Sequence, residues 1–429
     1  MSEATAPPLR ADADGSVPAA VHAPTDHLDL PFFQPQHLEM AGELATWTPL
    51  QQVDESDDRA ACRAWVRRLG DAGWLRYCVP AAFGGALPQL DSRALVIARE
   101  QLAFHSPLAD FAFAMQGLGS GAITLAGTPR QCADYLPAVA RGEKIAAFAL
   151  SEADAGSDVS AMTTIASTVD LTMDKGQKGS KFVLKGSKTW ISNGGLADFY
   201  CVFAKTEPGA GSRGISAFIV DRDTSGLDDS AHIAVMSPHP LASLVFDGCE
   251  LPSGALLGPP GGGFKLAMQT LDIFRASVAG AALGMARRAL FEARLHARQR
   301  KMFGQTLADF QLTQARIGEM AALIDAAALL TYRAAWLRDR SMAGEPGAGG
   351  KTADAASARQ RSVAAAMAKM TATENAQRVI DMALQMHGGL GVKVGTKVES
   401  LYRGIRSLRI YEGATEVQQL IIGKAVLQE

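Results

Sequence analysis

Cysteine is scarce and scattered. Cys62, Cys78, Cys132, Cys201 and Cys249 are spread over 429 residues without a close pair, so the spacing of a zinc site is missing. An odd, dispersed set fits reduced thiols and places the protein in the cytoplasm. Surplus charge is missing too. A formal net charge of -2 exerts no general pull on nucleic acid or anionic lipid, so an anionic ligand needs a local set of donors. The first 30 residues carry one arginine among several acids, unlike a secretory or organelle-targeting segment. The longest uncharged stretch of near-membrane length, Phe111 to Pro129, contains four glycines, Gln116 and Ser120. It reads as buried helix rather than a span. No βαβ alternation occurs and no GxGxxG opens a helix, which argues against a Rossmann nucleotide domain.

What is there divides into parts. A chain of 429 residues exceeds what one core usually organises, so two or three domains are expected. Residues 1–35, rich in Ala, Pro, Asp and His, read as a mobile leader. From Gln36 apolar residues recur at helical spacing, as in Cys62, Trp65, Val66 and Leu69, which predicts a helical domain over 36–145. After Ala146 short alternating runs set in. "KFVLKGSKTWIS" reads as two short strands around Lys185-Gly186, and "DFYCVFAKT", "GISAFIVD" and "LASLVFDGCELP" follow. They predict a compact antiparallel sheet or barrel over 146–258. Helical periodicity returns over 259–429, with three long helices and a fourth after Thr415, which predicts a helical bundle. The small residues from Ala276 to Gly284 on the first of these suit close helix contact or the flat face of a ligand. The fold class is α+β.

Several segments carry polar groups on flexible backbone. In "FALSEADAGSD", Ser151, Gly156 and Ser157 can approach a flat polar ligand and hydrogen-bond its edge; an ordinary turn is the plainer reading. "GSKTWISNGG" offers Trp190, Ser192 and Asn193, an indole and donors suited to a ring system, although a lone Trp is more often a core residue. "RQRKMFGQTLADFQ" sets Arg300, Phe303 and Gln311 around a glycine, suited to phosphate and base contacts or to a solvated helix end. In "QMHGGLGV", Gln385 precedes Gly388 and Gly389, whose backbone could meet a pyrophosphate; a helix cap explains one glycine but not the run. Arg275 is the only charge from Ile273 to Ala286, so it needs a structural acid or an anionic substrate.

Together, "SEADAGSD", "KTWISNG", "RKMFGQTLADFQ", "QMHGGLG" and "YEGATEVQ" stand in the order and spacing of the acyl-CoA dehydrogenase family, and the resemblance covers residues 36 to 429. It implies an N-terminal helical domain, a middle β-barrel and a C-terminal four-helix bundle. It also implies FAD, a homotetramer (or homodimer), an acyl-CoA substrate and an electron-transfer flavoprotein as acceptor. By this resemblance Phe148, Leu150, Ser151, Gly156, Ser157, Trp190, Ile191 and Ser192 lie along the flavin. Arg300, Phe303, Phe310 and Gln311 resemble residues that hold a neighbouring subunit's FAD. Gln385, Gly388 and Gly389 resemble the segment that meets its ADP half. Thr415 and Glu416 resemble a further cofactor contact, shifted here because Ala414 intervenes after Gly413. Asp272, Phe274 and Arg275 resemble acyl-CoA contacts, with Ser157 shared, and Gln116 and Gly117 resemble the helix closing the acyl pocket. Phe274 there hints at a short or compact acyl group.

The family reaction removes the α-proton of an acyl thioester while a hydride leaves the β-carbon for the flavin. The family base is a Glu in the "YEG" loop or one residue before the Arg of the long helix. Phe274 occupies the second position and cannot take a proton, so Glu412 is the base that the resemblance implies. A free Glu, with a pKa of about 4.3, is a poor base for a carbon acid, and apolar surroundings improve it. Tyr411 supplies such a wall, and Gly413 supplies backbone freedom and room for the thioester. An oxidase on the same fold and a non-catalytic flavin-binding scaffold are the competing readings.

Overall fold

The computed structural model describes residues 21–172, 178–343 and 355–428. The chain begins with α1 (Pro35–Trp47), α2 (Asp58–Asp71), α3 (Ser92–His105), α4 (Pro107–Ala126) and α5 (Pro129–Ala140). The starts are written locally. Asp57 accepts from Arg59 and Ala60 N–H, Asp91 from Ala94 N–H and Ser106 from Ala109 N–H. Thr128 and Gln131 form a reciprocal capping box, and Pro107 and Pro129 occupy first-turn positions. Each device satisfies amides that a helix start leaves bare. Residues 1–20 of the expected leader lie outside the described residues. The rest of it packs on the helices. Leu28 is buried, His22 Nδ1 lies 2.9 Å from Ala45 O, and Phe33 packs edge-on to Tyr332 at 4.9 Å. Its apolar residues were too few for a periodic signal, but the helices behind them provide a surface.

The middle region holds β1 (Ala146–Ala149), β2 (Ile165–Thr172), β3 (Lys178–Ser192), β4 (Phe199–Lys205), β5 (Ile215–Asp221), β6 (Leu227–Ile233), β7 (Leu241–Pro252) and β8 (Leu256–Leu257). Their order is β6-β7-β3-β2-β4-β5-β8, with β1 parallel to β4 and the long ladders antiparallel. The two short strands expected around Lys185-Gly186 are one strand, β3. Its register against β7 shifts between Leu184 and Lys185, where Gly186 has φ +142° beside Thr164. Glycine here bends a strand and does not turn a hairpin. A second shift, between Lys188 and Ile191, sets Thr189 and Trp190 against Ser243 alone. This β-bulge re-aims Trp190 (φ +60°), leaving it 58 % exposed.

The C-terminal bundle comprises α6 (Gly263–Gln299), α7 (Gln311–Ala343), α8 (Ala355–His387) and α10 (Thr415–Val426). A short hairpin, β9 (Lys301–Met302) and β10 (Gln305–Thr306), follows α6. An additional helix, α9 (Lys397–Leu408), precedes α10 and buries Val398, Leu401, Ile405 and Leu408 at helical spacing. The small-residue stretch of α6 serves helix contact: a Cβ on Gly280 or Gly284 would collide with the carbonyl oxygens of Val96 and Glu100 on α3. The N-terminal helices and the bundle therefore share one packed seam. Among the described residues one helix, Gln311–Ala343, has the length and hydropathy to cross a bilayer; it packs within the bundle against α6 and α8.

Candidate active site

Segments from all three regions meet at a cavity of ≈ 280 Å³. Phe111, Met115 and Leu118 of α4 form one side, and Phe264, Met268, Leu271 and Arg275 of α6 another. β1 contributes Phe148, the loop after it Leu150, Ser151, Gly156 and Ser157, and the end of β3 Trp190, Ile191 and Ser192. Tyr411, Glu412 and Gly413 close it from the connection between α9 and α10.

A buried hub fixes the β1 loop against β3. Lys188, fully buried, donates to Leu150 O (3.0 Å) and to Glu152 Oε1 (2.8 Å), while Glu152 also accepts from Thr163 and Thr164 N–H. Burial opposes charging of Glu152, but the Lys188 charge and these bonds prevail and hold it down to about 2. Burial depresses Lys188 to about 8 against the attraction of Glu152. Trp190 and Ser192 thus stand on a braced strand end. Ser192 Oγ lies 3.0 Å from His239 Nε2, and the His239 ring packs 4.0 Å from Phe111 and 6.0 Å from Tyr411. Burial pushes His239 down to about 4, so it is neutral at physiological pH.

Glu412 occupies left-handed backbone, φ +55°, and Gly413 follows at +92°. Among the described residues only Trp190, Asn193, Phe303 and Glu412 are non-glycine residues at positive φ. Such strain persists where surroundings over-determine it. The loop is closed by Thr415 N–H donating to Arg409 O at 3.2 Å. Glu412 Oε2 is cut off from solvent and has no hydrogen-bond partner among the described residues. Burial raises the carboxyl above the usual range, opposed by the charges of Arg99, Lys369 and Arg275 and reinforced by Asp110. Arg99 is itself gripped by Asp110 at 2.7 and 3.0 Å and bonds Ser277 Oγ. Arg275 has the structural acid expected for it. Its Nη1 pairs with Asp272 at 2.5 Å, while its Nε is buried without a hydrogen-bond partner among the described residues and the side chain borders the cavity.

Other expected contacts lie elsewhere. Phe274 is buried against Gly117 and Gly121 and does not reach the cavity. Its bulk therefore says nothing about acyl size. Asp272 borders a neighbouring cavity. Gln116 joins α4 to β1 through Lys144 O and Ala146 N–H. Thr415 donates its hydroxyl to Glu374 and Glu416 is exposed; neither borders the main cavity. Arg300, Gln385, Gly388 and Gly389 converge on a second cavity of ≈ 680 Å³. Beside them Phe303 is 87 % exposed and edge-on to Phe310, and Gln311 is exposed. Arg99 and His239 were missed. Arg99, within the apolar run "ALVIAREQLAF", carried the same signal as Arg275; His239 in a loop carried none. All five cysteines are free, buried and outside the main cavity, and no described group of His, Cys, Asp and Glu could hold a metal.

Residues 37–143, 147–249 and 261–427 match the models of the acyl-CoA dehydrogenase N-terminal, middle and C-terminal domains. The chain belongs to the acyl-CoA dehydrogenase family. It is 34 % identical over 405 residues to a 3-(aryl)acrylate reductase of Clostridium sporogenes, covering 92 % of this chain and all of that one. Identity to the caffeyl-CoA reductase-Etf complex subunit CarC of Acetobacterium woodii is 34 % over 89 % of this chain and 93 % of the relative. The human mitochondrial short-chain specific acyl-CoA dehydrogenase is 35 % identical over 85 % of this chain and 82 % of its own. A crystal structure of an acyl-CoA dehydrogenase from Bacillus anthracis complexed with FAD superposes with a TM-score of 0.81 at 30 % identity, over 92 % of this chain and 67 % of that one.

An acyl-CoA dehydrogenase is a flavoprotein oxidoreductase, and its cofactor is FAD. The donor set here fits one. Ser151 and Ser192 bring hydroxyls to one wall, Trp190 stands exposed beside them, and a Cβ at Gly156, Gly388 or Gly389 would meet nothing within 4 Å.

Proposed function

We propose that this chain catalyses α,β-dehydrogenation of an acyl-CoA thioester to the trans-2-enoyl-CoA, with Glu412 removing the α-proton. The carrying observation is the Glu412 carboxylate: strained backbone, a buried oxygen without a partner, and a place on the wall of the cavity bounded by Trp190 and Ser192. Apolar enclosure keeps it basic, and Arg99, Lys369 and Arg275 keep it from staying protonated. When bound, FAD supplies the acceptor for the β-hydride. Phe148 to Ser157 and Trp190 to Ser192 hold the ring system, and Arg275 and Ser157 orient the thioester. Arg300, Phe303, Phe310, Gln311, Gln385, Gly388 and Gly389 serve the FAD of a second copy in a homotetramer or homodimer. An electron-transfer flavoprotein is the acceptor, a reading supported by the relative named as an Etf complex subunit.

A second reading runs the same site toward reduction of an arylacryl thioester. The rings of Phe111, His239 and Tyr411 border the cavity beside Glu412, and two relatives are reductases by name. One experiment tests both. Anaerobic flavin absorbance is followed while the purified protein is titrated with butyryl-, isovaleryl- and 3-phenylpropionyl-CoA, and dithionite-reduced protein is titrated with cinnamoyl-CoA. Bleaching by a saturated thioester, lost in Glu412→Gln, supports dehydrogenation. Reoxidation by cinnamoyl-CoA with no bleaching by any saturated thioester favours reduction. Bleaching that survives Glu412→Gln removes the proposed base, and a protein without flavin or thioester affinity removes the function.

A further inference from the structure

We propose that Lys369 of α8 is the positioning residue that holds Glu412 in its working pose, by donating from a fully buried ammonium to the carbonyl of Gly413. This rests on the reading of Glu412 as the base.

Lys369 is 0 % exposed, and its Nζ lies 2.8 Å from Gly413 O. A buried lysine ordinarily stands beside an acid. Among the described residues no carboxylate forms an ion pair with this one, and its hydrogen bond goes to the residue after Glu412. Gln418, also fully buried, donates its Nε2 to the same oxygen at 2.9 Å. Two donors thus occupy one carbonyl and fix the Gly413–Ala414 peptide, one residue beyond strained Glu412. Gly413 is itself left-handed at φ +92°, so this anchor pins the C-terminal side of the strained Glu412-Gly413 pair. The two donors come from different places. Gln418 rides on α10, the helix that the loop itself enters. Lys369 rides on α8, a long helix packed along α6, so it ties the loop to the rigid bundle that also carries Arg275.

Charge adds to the geometry. Arg99 from α3, Asp110 from α4, Arg275 from α6 and Lys369 from α8 face Glu412; Glu412, Arg275, Glu374 and Glu416 face Lys369. Burial pushes Lys369 down to about 8, against the attraction of Glu412. A hydrophobic side chain of the same length would pack there without that desolvation penalty. The cation is explained if its task is the loop.

The test compares Lys369→Met, which removes donor and charge, with Lys369→Gln, which keeps a donor. The flavin-bleaching rate of each holoenzyme is measured from about pH 6 to about pH 9, with whichever of the three saturated thioesters reduces the wild type fastest. Lys369→Met is expected to keep its flavin and bind thioester but to bleach roughly tenfold or more slowly, the scale set by a small misplacement of a reacting group. Its acidic limb should move to higher pH, because one of three cations facing Glu412 is gone. Lys369→Gln should recover part of the rate but not the limb. A wild-type rate with an unmoved limb in Lys369→Met overturns the proposal. If that variant does not fold, an unmoved limb in Lys369→Gln overturns it instead. Glu412→Gln separates the two readings. If it still bleaches, the base assignment has failed; if it is inert while Lys369→Met behaves as wild type, only the positioning role has.

Discussion

At the residue scale, Glu412 combines features that each disfavour the folded state. It sits at φ +55° and its buried Oε2 lacks a partner. Burial raises its pKa, so the folded chain holds this proton more tightly than the unfolded one. Stability then falls as pH rises from the unfolded value near 4.3 through the raised folded value, and the loss is complete above it. Glu412→Gln should therefore melt at a higher temperature than wild type at pH 8, with the gap closing toward pH 4; equal melting curves at both pH values would contradict this. The same substitution should slow anaerobic flavin bleaching by about 10²–10⁴-fold, the range for a positioned base. In the wild type the rate should rise with pH through the raised carboxyl value, because only the deprotonated form accepts the α-proton. A bleaching rate flat from pH 5 to 8 would oppose that assignment.

At the element scale, the β1 loop and the end of β3 act as one wall because Glu152 and Lys188 join them. Removing one member of a buried pair strands the other charge, at a cost of roughly 3–5 kcal/mol. Glu152→Ala should accordingly lower the melting temperature and release flavin on dilution, read by ultrafiltration and absorbance; a variant with wild-type melting and flavin content would show that the wall stands without the hub. Much of this wall was legible. "SEADAGSD" and "KTWISNG" advertise hydroxyls and flexible backbone, and both border the cavity. The exposure of Trp190 was not legible, because it depends on a register slip against Ser243, 53 positions along the chain. A strand's own sequence does not record what its partner does. Phe274 illustrates the converse. Its place in the motif suggested an acyl-CoA contact, yet the gap left by Gly117 and Gly121 takes its ring into the core.

At the scale of the whole molecule, the three regions followed from changes of period, and several of the ordered motifs border the main cavity, whereas Arg99 and His239 join it from elements that only folding brings together. The second cavity bears on assembly. Gly388 and Gly389 open into space, Phe303 is held at φ +49° and left 87 % exposed, and Leu312 beside it is 83 % exposed. Phe303 meets Phe310 of its own chain only edge-on and its ring is otherwise open, so on the proposed assembly its partner is a second copy's cofactor. Binding and association are then linked. Whatever binds only the assembled form stabilises it by mass action, and loss of either lowers the other. Phe303→Ala should reduce bound flavin per chain and shift the protein toward smaller species in light scattering after gel filtration. Added FAD should reverse both changes together. Lost flavin with an unchanged assembly would confine Phe303 to its own chain's site, and an unchanged flavin content would leave its exposure without a role in the cofactor.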